Sequence, residues 1–531
     1  ERSRERHVCA GGGGVRVTCA LPTPIEDLEA RVRRMSREEH RPLLETTSER
    51  DTGQEQYFHY VCNRNLYLAT FVAVLGPLSF GFVLGYSSPA IPELEANPNP
   101  NLNLDSTQAS WFGSLVTIGA AVGGIIGGWL VDKIGRKLSL MICAVPYVTG
   151  FTLIIAAQNV WMLYGGRVLT GVASGVTSLV VPVYISETAH PKVRGLLGST
   201  VQLMVVTGIM GAYVGGMFLS WYWLAVLCSL PPAVMVVLMC FMPETPRYLL
   251  RKNQRVEALQ VLAWLRGPDV DSEWECRQIE TSCDEQNTKF ALSELKNPTI
   301  YKPVLIGIFL MLFQQLSGIN AVMFYAENIF EQANFKNSSE GSVIVGIVQV
   351  VFTAVAALIM DKAGRKLLLA VSALIMCISA AVFGVYFKIW QADINNSSLH
   401  KTDILMFANS VSESRSVPTW LPLICLVVFI AGFALGCGPI PWLVMSEIFP
   451  VRVRGIASGA CVLANWSAAF LVTKEFHDLV ENITQYGTFW LFSSFCFMNL
   501  LFTIFFVPET KGRTLEEIEA HFKATVSGQA N

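Results

Sequence analysis

Charge is scarce in this 531-residue chain: 15% of its residues are charged, against 52% that are hydrophobic. Soluble domains carry roughly 25% charged residues, so a soluble globular fold is excluded. A net charge of −2 lacks the basic excess that a nucleic-acid partner calls for. The thirteen cysteines are scattered, many inside apolar runs (Cys143, Cys228, Cys240, Cys377, Cys425, Cys496). They show neither metal-ligand spacing nor a secreted disulfide framework, and read as buried reduced thiols. Nucleophile, metal cluster and phosphate loop are all missing, which argues against an enzyme and against any cofactor or metal. Residues 1–34 are a Gly/Arg-rich run without apolar periodicity, and Met35, the first methionine, is the expected start.

What is plentiful is apolar length. Twelve runs, each able to cross about 30 Å of hydrocarbon, cover roughly 65–90, 108–131, 138–157, 160–183, 196–217, 222–242, 301–329, 341–360, 367–389, 419–443, 455–475 and 486–507. The expected fold is an all-α membrane protein, twelve transmembrane helices in two six-helix bundles at 63–242 and 301–507. A cytosolic helical linker at 243–300 joins them, and a disordered tail at 1–62 and a short tail at 508–531 flank them. In the linker, Ala258, Leu259, Leu262 and Leu265 form one apolar stripe, the mark of a surface helix. Gly119, Gly123, Gly127 and Gly128 in the second span, with Gly171 and Gly175 in the fourth, permit close helix contact.

The turns between spans are written twice. DKIGRK (132–137) returns as DKAGRK (361–366), PVYISETAHPKVRG (182–195) as PWLVMSEIFPVRVRG (441–455), and PETPR (243–247) as PETKGR (508–513). Such duplication marks an internal repeat, and repeated membrane bundles of this kind move solutes. Lys and Arg of these turns fall on one side, while the loop 91–107 opposite has neither, so both termini are expected in the cytosol. Positive flanks alone would explain the basic residues. The paired acids, Glu187 with Arg194 and Glu447 with Arg454, point further, to ion pairs that hold the two halves together on the cytosolic side. Exposed pairs are worth about 0–1 kcal/mol, the strength of a reversible latch.

These motifs, with GGRVLTG (165–171), QQLSGINAVMFY (314–325), GPIPW (438–442) and PETKGRTLEEIE (508–519), resemble the sugar porters of the major facilitator superfamily over residues 62–525. FGFVLGYSSPAIP (80–92), ASWFGS (109–114) and GPIPWLVMSEIFP look like the class III facilitative glucose transporters. The resemblance implies a cytosolic gate of Arg136, Arg167, Glu187, Arg194, Glu244, Arg365, Glu447, Arg454 and Glu509. D-glucose, another hexose or trehalose is the implied cargo.

Polar side chains inside spans are costly and usually functional. Gln314, Gln315 and Asn320 in the seventh span, Gln202 in the fifth and Gln349 in the eighth are amides, matched to sugar hydroxyls without placing charge in lipid. Taken singly, each is equally readable as interhelical glue. Gly318 is placed to break the seventh helix and turn Asn320 inward. Trp442 is either an interface anchor or, on the broken GPIPW backbone, a stacking face for a pyranose ring, as the resemblance implies. Asn465, Trp466, Phe433 and Tyr325 are secondary pocket residues. Ala434 and Ala469 stand where class I relatives place polar groups, and Cys437 where most relatives of this subtype have Trp.

Proton-driven relatives carry an Asp after the FG pair of the first span. Here Val83 takes that place while Arg167 remains, which favours facilitated diffusion over proton symport. A non-transporting sensor is the other alternative. Glu39, Leu43 and Leu44 form an acidic dileucine pattern suited to clathrin adaptors, implying endosomal, lysosomal or other intracellular membranes with cycling to the plasma membrane. In the loop expected at 390–418, Asn395 or Asn396 is the best glycan acceptor.

Overall fold

The computed structural model describes residues 62–267, 270, 272–285, 297–333, 337–403, 420–449, 453–511 and 522. The dileucine residues Glu39, Leu43 and Leu44 lie outside the described residues, as do the side chains of Asn395, Asn396 and Arg454. Among the described residues the chain is helical, with no strand. The first set of helices is α1 (Arg64–Gly85), α2 (Ser87–Glu95), α3 (Ser106–Ile134), α4 (Arg136–Ile155), α5 (Val160–Thr188), α6 (Pro191–Phe218) and α7 (Trp221–Met239). Three short helices follow: α8 (Pro246–Arg251), α9 (Arg255–Arg266) and α10 (Ser272–Glu285). The second set is α11 (Pro298–Leu316), α12 (Ile319–Phe324), α13 (Ala326–Gln332), α14 (Ser338–Ala363), α15 (Arg365–Asp403), α16 (Leu421–Gly432), α17 (Ile440–Ile448) and α18 (Arg454–Phe506).

Among the described residues, eleven helical segments are long and apolar enough to cross a membrane. The last holds two spans. α18 has 53 residues and non-helical torsions at Thr484, φ 70° and ψ 164°. A straight helix of that length would run about 80 Å, so the chain folds back at Thr484 and crosses twice. The count is twelve.

Local chemistry sets the helix starts. Asp105 accepts the Gln108 N–H at 2.7 Å, and the Gln108 side chain answers to the Asp105 N–H, a capping box that opens α3. Asn159 does the same for α5 at Met162 and separates the nearly fused third and fourth spans. α3 and α5 then pack backbone to backbone. A Cβ added at Gly123 would come 2.1 Å from the Val172 carbonyl oxygen, and one at Gly175 2.1 Å from that of Ala120. Only glycine allows that approach.

The seventh span breaks where the sequence expects. Gly318 has φ +84°, and a Cβ there would lie 2.4 Å from the Phe492 ring. The tenth breaks too: α16 passes through a π turn at Phe433–Cys437 before α17 begins. Elsewhere the sequence misjudged a boundary. Residues 390–403, read as loop, continue α15 as helix, so Asn395 and Asn396 fall on helical backbone.

α9 lies against the end of the first set with Ala258, Leu262 and Leu265 fully buried, the stripe read from sequence. Its C-terminal Arg266, 1% exposed, grips Glu275 of α10 through bonds of 2.8 and 2.7 Å and donates a third to the Thr188 carbonyl at 2.9 Å. Around it, Cys62 N–H donates to the Arg266 carbonyl, Asn65 to that of Trp264, and His190 Nε2 lies 2.9 Å from Asn63 Oδ1. Burial, reinforced by the Arg266 charge, pushes the His190 imidazole down to about 4.

Two tests follow from these contacts. Gly318→Ala strains a left-handed residue, about 1–3 kcal/mol, and meets Phe492; its thermal midpoint in detergent should fall by several degrees, while Gly198→Ala, with open space around it, should not move. The folded state holds His190 neutral, whereas the unfolded imidazole titrates near its ordinary 6.5. The stability it contributes is therefore full above pH 6.5 and lost as pH falls toward 4. His190→Gln should flatten the decline in thermal midpoint between those values.

Candidate substrate site and gates

At the end of the molecule that carries the doubled turns, here the basic end, the two copies fold alike. Gly135 and Gly364, both at φ +94°, end α3 and α14 and turn the chain into α4 and α15. The first N–H groups of a helix lack internal partners. Glu244 accepts those of Arg136 and Lys137 at 3.1 and 3.0 Å, and Glu509 accepts those of Arg365 and Lys366 at 3.0 and 3.1 Å. Arg136 pairs with Glu187 at 2.7 Å and Arg365 with Glu447 at 3.2 Å. The second oxygen of each acid is taken by Thr245 or Thr510, at 2.7 and 2.6 Å.

These pairs differ from the ones expected: both lie within one set of six spans, because each acid sits at the end of a helix packed beside its own arginine. Glu244 and Glu509 cap helices. Burial pushes the Glu244 carboxyl above its ordinary range against the pull of its N–H partners; at Glu509 burial acts the same way but the N–H partners prevail, and the carboxyl is held below. Arg194 is exposed and donates to the Ala189 carbonyl at 3.2 Å. Arg167 leaves this group altogether. It lies in the second turn of α5, twenty residues before Glu187 and thus about 30 Å away along the helix. Fully buried, it donates to the carbonyls of Phe112 (3.2 Å) and Val83 (2.9 Å) and to the Ser87 hydroxyl.

The hydrogen bonds that cross between the sets, among the described residues, lie toward the far end. Tyr213 donates to the Met323 carbonyl at 2.7 Å, the Glu327 N–H to Ser88 at 3.2 Å, and Asn328 to Glu95 at 3.3 Å. Trp111 packs against Phe470 at 6.0 Å and lies under Lys474 at 5.4 Å. A cavity of about 320 Å³ remains inside this closure, walled by Glu95, Ser110, Tyr325, Asn328, Phe476 and His477. Tyr325 thus belongs to the closure, stacked on Phe476 at 5.4 Å. At the basic end, Gly195, Gly198, Gly455 and Gly459 of α6 and α18 face open space. Among the described residues, the hydrogen bonds that join the two sets lie far from the charged turns. Sequence reasoning missed the far-end residues, which carry no repeated motif.

Between the two ends, the amides meet. Asn320 donates to Gln315 at 2.7 Å, Gln315 to Asn465 at 3.2 Å, and Asn465 to Gln314 at 2.8 Å. Gln314 donates in turn to the carbonyls of Cys437 and Gly438, at 2.7 and 2.9 Å. All four side chains are buried. The chain runs donor to acceptor throughout, each amide satisfying the next, so burial costs little. Buried polar atoms without partners on the same set of helices include Gln349 Oε1, Trp466 Nε1 and Asn499 Oδ1, the last on a side chain that donates to Cys437 Sγ at 3.5 Å. Trp466 sets its ring edge-on to Phe80 of α1 at 5.8 Å. Gln349 and Trp466 thus leave one acceptor and one donor open to a ligand hydroxyl. Gln202 is half-buried on α6, Trp442 half-buried on the first turn of α17, and Phe433 buried at the π turn.

A family model, sugar (and other) transporter, matches residues 69–522. The chain belongs to this sugar transporter family. It is 58% identical to solute carrier family 2, facilitated glucose transporter member 8 of Mus musculus, over 87% of this chain and 95% of that one. It is 40% identical to facilitated trehalose transporter Tret1 of Bombyx mori, over 85% and 86%. Among solved structures it is similar to the major facilitator superfamily proton:xylose symporter bound to 6-bromo-6-deoxy-D-glucose, with TM-score 0.70 and 26% identity over 86% of this chain and 98% of that one.

The two ion pairs predict unequal costs. Side-chain exposure is 5% and 7% for Arg136 and Glu187 but 12% and 23% for Arg365 and Glu447. Orphaning a buried arginine costs about 3–5 kcal/mol. Glu187→Gln should therefore lower the thermal midpoint more than Glu447→Gln.

Proposed function

We propose that this chain is a facilitative hexose transporter that carries D-glucose by alternating access. The observation that carries this reading is the buried amide chain of Gln314, Gln315, Asn320 and Asn465 in the second set of helices, with Gln349 Oε1 and Trp466 Nε1 of the same set unpaired. The glucose-transporting relatives support it. Sugar hydroxyls exchange bonds with water for bonds with amides at a net gain of about 0.5–1.5 kcal/mol each, and immobilisation offsets much of that. Weak binding suits release on the far side.

Positive residues collect at the basic end, which by the positive-inside rule faces the cytosol together with both termini. The arrangement described here is then the inward-facing one. Residues 63–242 and 301–507 are the two bodies that rock against each other, and the Arg136 and Arg365 networks stiffen the cytosolic rim of each. Arg167 spends its donors on Val83, Phe112 and Ser87 and has no carboxylate partner among the described residues, which favours uniport. The acidic dileucine at Glu39, Leu43 and Leu44 would engage clathrin adaptors and hold the protein in endosomal or lysosomal membranes, and Asn395 or Asn396 would carry a glycan on the lumenal side. Trehalose is the second cargo to consider, given the trehalose-transporting relatives.

The test is radiolabelled glucose uptake by full-length protein brought to the cell surface with Leu43→Ala and Leu44→Ala, competed by fructose, galactose and trehalose. Uptake should be saturable and insensitive to external pH, and Gln349→Ala should reduce it about three- to tenfold. Uptake that rises steeply in acid with an inward current would replace uniport by proton symport. A well-expressed surface protein that moves no sugar would be a sensor.

A further inference from the structure

Pro439 and Pro441 delete two donors from the tenth span. In an α-helix the carbonyl of residue 437 accepts from the N–H of residue 441, and that of residue 435 from residue 439; proline has no N–H to give. The chain answers with a π turn, in which the Gly438 N–H reaches back to the Phe433 carbonyl at 2.8 Å, while Ser372 receives the Cys437 N–H at 2.9 Å. The Cys437 carbonyl remains, and Gln314 of α11 supplies its donor at 2.7 Å, with a second bond to the Gly438 carbonyl at 2.9 Å. A carboxamide has two N–H bonds. Both are spent on this backbone, and Oε1 accepts from Asn465.

We propose that Gln314 is a hinge lock, and that a sugar hydroxyl competes with the broken α16–α17 backbone for its amide. This rests on the sugar-transport reading above. With the site empty, Gln314 replaces the donor that Pro441 lacks and holds α17 in place. A hydroxyl that takes the amide strips the Cys437 carbonyl of its donor, and α17 is released to pivot. α17 carries Trp442 at one end and Glu447, the partner of Arg365, at the other. Occupancy of the site is thereby transmitted along one nine-residue helix to the charged rim. Gln314 is a positioning residue for the translocation step as well as a ligand, and the cost of the orphaned Cys437 carbonyl is what the pivot of α17 relieves.

The experiment is hydrogen–deuterium exchange over residues 436–444 of purified full-length protein in lipid nanodiscs, with and without D-glucose. Without sugar, Gln314→Ala should exchange about two- to tenfold faster than wild type. Glucose should raise exchange in wild type and leave Gln314→Ala unchanged. Equal exchange in the two sugar-free proteins overturns the lock. Pro441→Ala, which leaves Gln314 intact, restores the missing N–H; it should lower KM by freeing the amide and lower kcat by closing the helix. An unchanged or raised KM overturns the competition. If wild type binds no radiolabelled glucose by scintillation proximity, the sugar reading falls, and the sugar-free comparison still decides whether Gln314 locks the hinge.

Discussion

A backbone carbonyl left without a donor in hydrocarbon costs several kcal/mol, because no water is there to replace the lost bond. The twelve spans obey this wherever they are regular. The interest lies where they break, since each break must be satisfied by a side chain from elsewhere in the chain. Gln314 serves Cys437 and Gly438 of the tenth span, Ser372 serves the Cys437 N–H, and Arg167 serves Val83 in the last turn of α1. Glu244 and Glu509 serve the starts of α4 and α15. Much of the buried polar chemistry that looks functional in sequence is thus first of all a partner for backbone groups.

The two ends of the molecule use different chemistry. Beside the charged turns the bonds are ionic and stay within each set of helices, where shielding makes them stiff. Toward the far end the bonds that cross between the sets include no ion pair among the described residues: Tyr213 donates to Met323, Trp111 packs on Phe470, and the acidic and basic side chains among them, Glu95 and Lys474, meet an amide and a ring. Neutral hydrogen bonds net only about 0.5–1.5 kcal/mol each.

Much of this was legible in the sequence. Apolar length gave the spans, Gly318 and the GPIPW prolines gave the two helix breaks, and the paired glycines gave the tight α3–α5 contact. The amides were found by type, and four of them do meet. What misled was proximity along the chain. Glu187 and Arg194 are neighbours in one motif, yet Glu187 binds Arg136. Arg167 shares a helix with Glu187 and sits at its opposite end. The Arg266–Glu275 clamp carries no repeat and no motif, and the far-end closure carries no repeat; Ser88, Trp111, Met323 and Tyr325 fall inside single-copy motifs that do not say which partner each takes.

By itself the sequence determined the class of the protein, its doubled design and the chemical type of its site, because composition and periodicity follow from the solvent each helix must face. Only the tertiary structure decided which partner each polar group takes. A hydrogen bond is settled within a few tenths of an ångström, between residues such as Gln314 and Cys437 that are more than a hundred positions apart. Nothing in local pattern carries that information, so the change of Gln314 from a plain sugar ligand into the donor that a proline left missing became visible only in three dimensions.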